Sequence, residues 1–425
     1  MKFKLTIYRS YTAALLLLMS LSAVGAVRVC NVRQYGAVGD GLTKDTAAIQ
    51  KAIDACADGE GGTVRLDGGT FLSAPIVLRS HTTLDIAAGT ILLGSADHAD
   101  YAAKVEFRSP GRQSLVSATG ATDVAITGGG TIDGNGESWW VEARRYKDSG
   151  ILGSEHTRPR LVVFDHCKHV RVEGVTIQNS PMWQLVPYAS DDVTIRNIRV
   201  LAPAKAPNTD GIDPFSSSNV VIDHVYLDVG DDDIAVKSGA INSPGGDLPS
   251  KNVRITNVDC VHGHGLSIGS ELAGGAQNIS VEHAHLHETD NGIRVKANRD
   301  RGNDVSDISF RDILMDEVKI ALIISEYYPS VLPAGEMKAA LVTRLTPHFH
   351  GIVIENVTAT ATKSAGAIAG LPESPVEGVV LRNISIQAPT GLTIGYANVT
   401  AEHVEIHAGS GPAIMRLPEA SLVTR

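Results

Sequence analysis

The chain has 425 residues and a formal net charge of −10, with 43% hydrophobic residues, 42 glycines and only 5% aromatic residues. The acidic balance argues against nucleic acid as a partner and gives no general attraction for an acidic polymer, so any binding of such a polymer must be local. The hydrophobic content supports a sizeable core, and the many glycines indicate many turns.

The first 26 residues are predicted to be a signal peptide. Basic residues precede an apolar run, Ala13–Val24, and small residues follow it. This run is too short for a spanning helix, which needs roughly 20 apolar residues. We therefore expect residues 27–425 to be a secreted or periplasmic monomer without membrane contact. A retained membrane anchor is the alternative.

One helix is predicted near the start, over Asp45–Cys56, where apolar residues recur at helical spacing. Thr43 or Asp45 can cap its first turn, and glycines follow the helix. Repeat folds need caps at their ends, so we expect this helix to close the N-terminal end of a repeat structure.

Short segments in which β-branched and polar residues alternate follow the helix, and they begin mostly 23 to 33 residues apart. The period predicts a solenoid, and the alternation predicts strands. We therefore expect an all-β protein, a right-handed parallel β-helix that forms one catalytic domain. A β-sandwich is the alternative, but its strands recur at about 8–12 residues. The repeat lapses between residues 321 and 350, which predicts a loop excursion over the groove of the solenoid. The clearest segments are Val170–Ile177, Val193–Val200, Val220–Val225 and Val253–Val258.

Three aspartates occupy two turn-like motifs, Asn208-Thr209-Asp210 and Gly230-Asp231-Asp232. Each motif alone is typical of an ordinary turn. In a β-helix, however, equivalent positions of adjacent rungs stack about 4.8 Å apart, so Asp210 is expected to face Asp231 and Asp232. Like charges at this distance push pKa values apart. One carboxyl can then act as an acid and another as a base, as glycoside hydrolysis requires.

A histidine and several cations follow at rung-like spacing. His264, between two glycines, is expected to tune the acid. Arg294 and Lys296 alternate with Val295 in a predicted strand and therefore point to the same side. Beside a carboxylate cluster, two such cations suit the carboxylate of an acidic sugar. Lys237 joins this cluster by its position.

Together and in this order, these motifs resemble glycoside hydrolase family 28, the polygalacturonases. Further marks are Tyr35–Gly41, Gly130–Gly136 and Ser180–Trp183, so the resemblance covers nearly all of the mature chain. It implies a right-handed parallel β-helix that hydrolyses α-1,4-galacturonosyl linkages of pectin with inversion. The expected partner is thus a pectic polysaccharide, and we expect neither a cofactor nor a metal.

The resemblance also assigns roles. It makes Asp231 the general acid, gives Asp210 and Asp232 the task of holding and activating water, and lets His264 assist the acid. Tyr328 matches a tyrosine that lines the cleaved site in the family, and Tyr327 is an equally good alignment. The substrate-binding residues expected in this chain are Asn208, Lys237, Arg294, Lys296 and Tyr328.

One position departs from the family pattern, and one motif resembles only part of the family. Asp233 stands where many members have a cysteine, so Cys260 is expected to be unpaired. Ser270-Glu271 resembles exo-acting and bacterial members. The four cysteines match no metal-site spacing, and the sequence alone does not pair them. The open alternatives are a calcium-dependent pectate lyase, a non-catalytic polysaccharide-binding β-helix, and a hydrolase specific for rhamnogalacturonan or xylogalacturonan.

Overall fold

The computed structural model describes residues 1–2, 28–150, 157–332, 338–417 and 419–425. Apart from its first two residues, the predicted signal peptide lies outside the described residues. Among the described residues, none of the helices combines the length and the apolar character that crossing a membrane requires.

Helix α1 (Thr46–Ala57) packs against the first strands with Ile49, Ala52 and Ile53 buried, which confirms the predicted capping helix. Asp45 occupies the N-cap position, but its side chain makes no cap hydrogen bond. Its carboxylate instead accepts hydrogen bonds from the backbone N–H groups of Val38 (2.6 Å) and Gly39 (2.9 Å). Asp45 thus stands at the predicted cap position, but its side chain does not cap the first turn because the preceding turn takes the carboxylate. Thr43 does not cap the helix either, and its hydroxyl donates to Asp40 Oδ2 at 2.9 Å.

The helix also carries one end of a disulfide. Cys56 bonds to Cys30, which lies 26 residues earlier in the first strand. Cys167 and Cys260 are free and buried, which confirms the unpaired state predicted for Cys260.

Most strands are short in the N-terminal half and long in the C-terminal half. Those of the N-terminal half are β1 (Val29–Asn31), β2 (Asp40–Lys44), β3 (Gly62–Leu66), β4 (Thr70–Ser73), β5 (Ile76–Val77), β6 (Thr82–Ile86), β7 (Ile91–Gly94), β8 (Ala103–Glu106), β9 (Ser109–Arg112), β10 (Val116–Thr119), β11 (Thr122–Gly128), β12 (Thr131–Asp133), β13 (Val162–Asp165), β14 (Lys168–Glu173), β15 (Thr176–Gln178), β16 (Leu185–Tyr188) and β17 (Asp191–Leu201). Those that follow are β18 (Ser218–Asp228), β19 (Ile234–Val236), β20 (Ser250–Val261), β21 (Leu266–Gly269), β22 (Ala276–His287), β23 (Asn291–Lys296), β24 (Asp304–Ser325), β25 (His348–Ala369), β26 (Val376–Gly395), β27 (Ala397–Arg416) and β28 (Ala420–Thr424).

These strands pair in parallel from rung to rung, with the exception of the antiparallel β8–β9 hairpin. Buried side chains at equivalent positions stack in register along the axis, and burying one such side chain contributes about 1.5–3 kcal/mol. This continuous ladder confirms the predicted parallel β-helix over the sandwich. One column of the core consists of Ile195, Ile222, Ile255, Val281, Phe310, Ile354 and Leu381.

A second helix, α2 (Glu137–Asp148), lies between β12 and β13. The sequence pattern did not predict this helix. Its composition is mostly polar, which conceals an amphipathic pattern. Trp139 and Trp140 are buried, and the indole of Trp140 donates to the backbone carbonyl of Ser180 at 2.9 Å. Two adjacent tryptophans in a polar segment were the available signal for this helix.

The predicted excursion exists, but its predicted limits were too wide. Strand β24 continues to Ser325, and β25 begins at His348, so the excursion spans residues 326–347, of which 333–337 lie outside the described part. Its first turn is held by the hydrogen bond from the N–H of Tyr328 to the carbonyl of Ala297 (3.0 Å). Its last turn is held by Arg344, which donates to the carbonyl of Ala273 (3.2 Å). The excursion thus packs on the loops that follow β21 and β23.

Candidate active site

The predicted catalytic residues lie on adjacent rungs, as their spacing predicts. The N–H of Gly211 donates to the carbonyl of Asp232 (2.9 Å), and the N–H of His264 donates to the carbonyl of Asp231 (2.7 Å). One rung further, Arg294 in β23 pairs with Ser267 in β21. The parallel ladder therefore brings together residues that are far apart in the sequence.

Asp232 is the most tightly held carboxylate of the site. It is buried and accepts hydrogen bonds from the Arg294 guanidinium, from Lys296 Nζ (2.8 Å) and from Ser267 Oγ (3.1 Å). Burial alone would raise the pKa of Asp232, but the charges of Arg294 and Lys296 lower it further than burial raises it. Asp232 is therefore ionised, and it holds both cations predicted to bind substrate.

Asp210 has the opposite electrostatic environment. Its side chain is buried, Lys237 Nζ lies 3.2 Å from Oδ2, and Oδ1 has no hydrogen-bond partner among the described residues. Burial and the nearby charge of Asp231 raise the pKa of Asp210 to about 7, while Lys237 opposes this rise. Asp210 thus carries a proton over much of the range below neutral pH.

Asp231 is more exposed and faces the predicted histidine. Its Oδ1 lies 3.0 Å from His264 Nδ1, and Asn208 Nδ2 donates to Oδ2 at 3.4 Å. Burial raises the pKa of Asp231, but the hydrogen bond from His264 outweighs it, so the pKa is lowered. Burial lowers the pKa of His264, and the contact with Asp231 outweighs this to give a raised pKa. The pKa values of the aspartates do diverge, but in the ligand-free chain the raised pKa belongs to Asp210 and the pKa of Asp231 is lowered.

The glycines beside His264 are required by the backbone around it. Gly265 has φ +82°, and a Cβ there would collide with the carbonyl of Asn291. A Cβ at Gly263 would collide with the carboxyl group of Asp233. That buried carboxyl accepts a hydrogen bond from the N–H of Gly265 at 2.8 Å, and burial raises its pKa. Asp233 therefore holds the turn that carries His264.

Lys237, predicted to bind substrate, is almost fully buried and lies among carboxylates of its own chain. Its Nζ is 3.2 Å from Asp210, 3.7 Å from Glu271 and 4.0 Å from Asp213. Burial lowers the pKa of Lys237, but these carboxylates raise it by more, so the lysine stays charged. Its contact with substrate stays a prediction, and its direct structural effect is on the charge of Asp210.

Sequence reasoning missed two buried supports of the site. Arg158 donates to Asn208 Oδ1 (2.6 Å) and to the carbonyls of Pro181 and Pro207 (both 2.8 Å). It thereby orients the amide that faces Asp231. Asp213 is fully buried, and neither of its carboxylate oxygens has a hydrogen-bond partner among the described residues. It follows Asp210 by three positions in Asp-Gly-Ile-Asp, a signal that the sequence offered.

The structure distinguishes the two candidate tyrosines. Lys296 Nζ lies 5.2 Å from the ring centroid of Tyr328, and the Arg301 guanidinium lies 5.5 Å from it. Tyr327 is buried, and its hydroxyl donates to the carbonyl of Gly370 at 2.6 Å. Tyr328 is therefore the tyrosine that lies beside the predicted cations, where the start of the excursion places it.

Carboxylate oxygens of Asp231 and Asp232 and a ring nitrogen of His264 all lie within 4.8 Å of one another, a spacing that could hold a cation. Arg294 and Lys296 already neutralise Asp232, which lowers the attraction for a metal. Activity without a metal stays a prediction.

Comparison with known proteins agrees with this arrangement. Residues 71–405 match the profile of glycosyl hydrolases family 28. The chain belongs to this family. It is 32% identical to a probable polygalacturonase of Vitis vinifera, over 83% of this chain and 73% of that protein. It is also 32% identical to an endo-polygalacturonase of Pectobacterium carotovorum subsp. carotovorum, over 84% of this chain and 87% of that protein.

Among solved structures, this family 28 chain resembles a hyperthermoactive exopolygalacturonase from Thermotoga maritima. The TM-score is 0.76 at 27% sequence identity, over 91% of this chain and 93% of that chain. The chain is therefore a glycoside hydrolase with the β-helix of its family. Family membership favours this reading over the lyase and the non-catalytic binding protein.

Proposed function

We propose that this family 28 hydrolase cleaves α-1,4-galacturonosyl linkages of polygalacturonate with inversion, outside the cell or in the periplasm. One observation carries the proposal. Three aspartates in different electrostatic environments meet on adjacent rungs, directly beside Arg294 and Lys296. This set supplies an acid, a base and fixed positive charge for an anionic sugar. Relatives named polygalacturonase support the choice of substrate.

Asp232 and Asp210 have different tasks toward the attacking water. Asp232 is kept ionised by its two cations and therefore offers a fixed acceptor that orients the water. Asp210, with a pKa of about 7, is the stronger base once it is ionised. A base whose pKa lies near the operating pH is well matched to proton transfer. We therefore assign proton removal to Asp210 and orientation to Asp232.

Asp231 becomes the acid only when substrate binds. An anionic sugar in the cleft adds negative charge and excludes water, and both effects raise the pKa of Asp231. The proton that rests on Asp210 in the free chain is then redistributed to Asp231. The redistribution leaves Asp210 ionised as the base and Asp231 ready to protonate the leaving oxygen. His264 supports this step because its hydrogen bond orients Asp231.

The sugar carboxylate is assigned to the surface between Arg294, Lys296 and Tyr328. The side chains of Arg294 and Lys296 are 12% and 6% exposed, so little of either side chain is available to the cleft. The planar guanidinium matches a carboxylate geometrically, while the ammonium of Lys296 adds charge beside the Tyr328 ring. Binding through so few exposed atoms is consistent with local recognition by an acidic protein.

Exo action, suggested by Ser270-Glu271, stays a prediction. The Glu271 carboxylate lies 3.7 Å from Lys237 and 3.9 Å from Arg301, so this motif is part of the wall of the site. Relatives include enzymes named as endo-acting and as exo-acting. Product chromatography on polygalacturonate separates the two modes, since exo action releases short products of one length from the start.

Cleavage of polygalacturonate is expected to give saturated products with inverted anomeric configuration, and chelation is expected to leave the rate unchanged. Reducing-end assays, ultraviolet absorbance of unsaturated sugars and proton NMR of the first products measure these properties, with and without EDTA. Unsaturated product, or a rate that collapses with EDTA, would indicate a lyase. A retained anomer would indicate a covalent intermediate instead of direct attack by water.

The pH profile of kcat/KM is expected to have an alkaline limb near pH 7. The proposed mechanism needs one proton in the aspartate cluster, and that proton is lost as the pH rises through the pKa of Asp210, about 7. Lys237 lowers this pKa, so Lys237→Met should move the alkaline limb to higher pH. Lys363→Met, at an exposed position of β25, is the control and should leave the limb in place. An unmoved limb in Lys237→Met would exclude Asp210 as its origin.

A further inference from the structure

A cluster of two histidines and one aspartate, outside the cleft that holds the catalytic aspartates, has the geometry of a set of metal ligands. His348 and His350 alternate at the start of β25 and therefore lie on the same face of the sheet. On the neighbouring strand β24, Asp304 is the direct partner of His348 in the parallel register. Two imidazoles and a carboxylate are thus brought together by the backbone of two rungs and not by a flexible loop.

The three side chains converge on one point. Asp304 Oδ1 lies 2.8 Å from His350 Nε2 and 3.3 Å from His348 Nδ1. The two rings are 4.5 Å apart between centroids and inclined by 33°. One ligand atom from each residue lies within 4.8 Å of the other two. All three side chains are partly exposed, between 36% and 54%, so a cation can enter from solvent.

We propose that Asp304, His348 and His350 form a binding site for a divalent transition-metal cation of the zinc class. Imidazole nitrogen with a single carboxylate is a donor set that suits zinc, nickel, cobalt or copper, whereas calcium and magnesium take oxygen ligands. Three protein ligands leave room for water or for a fourth side chain.

The surroundings of the cluster supply further parts of such a site. Ser306 Oγ donates to Asp304 Oδ2 at 3.2 Å, which leaves Oδ1 for the cation and orients the carboxylate. On the other side, Glu377 in β26 is the register partner of His350 and is exposed. Side chains of in-register neighbours share one face of the sheet about 4.8 Å apart. Glu377 is therefore the nearest candidate for a fourth ligand by register, although its carboxylate lies outside the three-residue group whose ligand atoms are within 4.8 Å of one another.

The proposed cation site lies where the excursion rejoins the β-helix. His348 is the first residue of β25 and follows the excursion over residues 326–347, whose first turn carries Tyr328. The N–H of His348 also donates to the carbonyl of Asn303 at 3.0 Å. A cation bound here would link β24 to β25 where the excursion rejoins the helix. We therefore assign the cation a stabilising role, separate from hydrolysis in the cleft.

A second strand provides a matched comparison within the chain. His285 and His287 also alternate, in β22, and His285 Nε2 lies 2.8 Å from Asp316 Oδ2. Their rings, however, are 6.4 Å apart. Among the described residues, this pair belongs to none of the three-ligand clusters with atoms within 4.8 Å. Two alternating histidines on a strand therefore do not by themselves bring three ligands together.

Titration of the full chain, freed of metal by a chelator and carrying no histidine tag, tests the proposal with zinc sulfate. We expect calorimetry to show about one Zn²⁺ per chain and a higher Tm with the metal. Replacing Zn²⁺ by Co²⁺ should give the visible absorption of a site with imidazole ligands. His350→Ala and Asp304→Asn should each weaken Zn²⁺ binding by at least about tenfold, because loss of even an outer partner costs about 10–100-fold. The double variant His285→Ala/His287→Ala should bind like the parent.

Several results would overturn the proposal. One is the absence of both binding heat and any change in Tm. Another is binding that survives His350→Ala but disappears in His264→Ala, which would locate the metal in the cleft. Equal losses in the β22 and β25 variants would mean that exposed histidines bind the cation without a defined site. Circular dichroism of each variant without metal shows whether it is folded, and Glu377→Gln tests the fourth ligand without altering the first three.

Discussion

Asp231→Asn is expected to lower kcat on polygalacturonate by about 10²–10⁴-fold, the usual contribution of a positioned general acid. The amide keeps the size of the side chain and can still pair with His264 Nδ1, which lies 3.0 Å from Oδ1 of the native carboxylate. It cannot give a proton to the leaving oxygen. Reducing-end assays at saturating substrate measure the loss, and circular dichroism and Tm confirm that the fold is retained.

A substrate with a good leaving group separates this role from a general loss of activity. An aryl galacturonide whose phenolate leaves without protonation should be cleaved by Asp231→Asn with a much smaller loss than the polymer. The pKa of Asp210 is raised to about 7 in the ligand-free chain, which makes Asp210 the rival acid. If Asp210→Asn shows the leaving-group dependence and Asp231→Asn does not, the two roles must be exchanged. Asp259→Asn, at an exposed aspartate 4.0 Å from His285, is the control for the same chemical change.

The fold was predictable because the period of its strand repeat is visible in the amino-acid sequence. β-branched residues recur at rung spacing, and each rung repeats the same packing on its neighbour, so a local pattern determines a long structure. The meeting of Asp210, Asp231 and Asp232 follows from that period. Residues whose partners come from outside the repeat were not predictable. Cys30 meets Cys56 only because α1 folds back over the first rungs.

The sequence predicts that the pKa values of the aspartates differ, but it does not predict which aspartate has the raised pKa. Spacing predicts that the pKa values of neighbouring aspartates separate, and they do. Which carboxyl holds the proton depends on burial and on lysine and arginine contacts that the sequence does not display. Lys237 is directed at Asp210 by the register between rungs, while Lys296 and Arg294 are directed at Asp232. Asp210 and Asp232, which lie on adjacent rungs, thus acquire opposite charge preferences, the pKa of the first being raised and that of the second lowered.

Asp232→Asn is expected to lower kcat by about 10²–10⁴-fold on the polymer and on the aryl galacturonide alike. A good leaving group removes the need for an acid, but it does not replace the carboxylate that orients the water. Equal loss on both substrates therefore marks a residue that acts on the water. Recovery on the aryl substrate would instead make Asp232 part of the acid.

The same change should also destabilise the protein, because it leaves the buried Lys296 and the half-buried Arg294 without their carboxylate. Removing one partner of a buried ion pair costs about 3–5 kcal/mol, so Tm should fall. Lys296, 2.8 Å from Asp232, offers a way to separate stability from chemistry. The double variant Asp232→Asn/Lys296→Met removes one unpaired cation and should regain part of the lost Tm without regaining kcat. If kcat returns together with Tm, Asp232 serves to hold the cleft together and the water must be oriented by Asp210 alone.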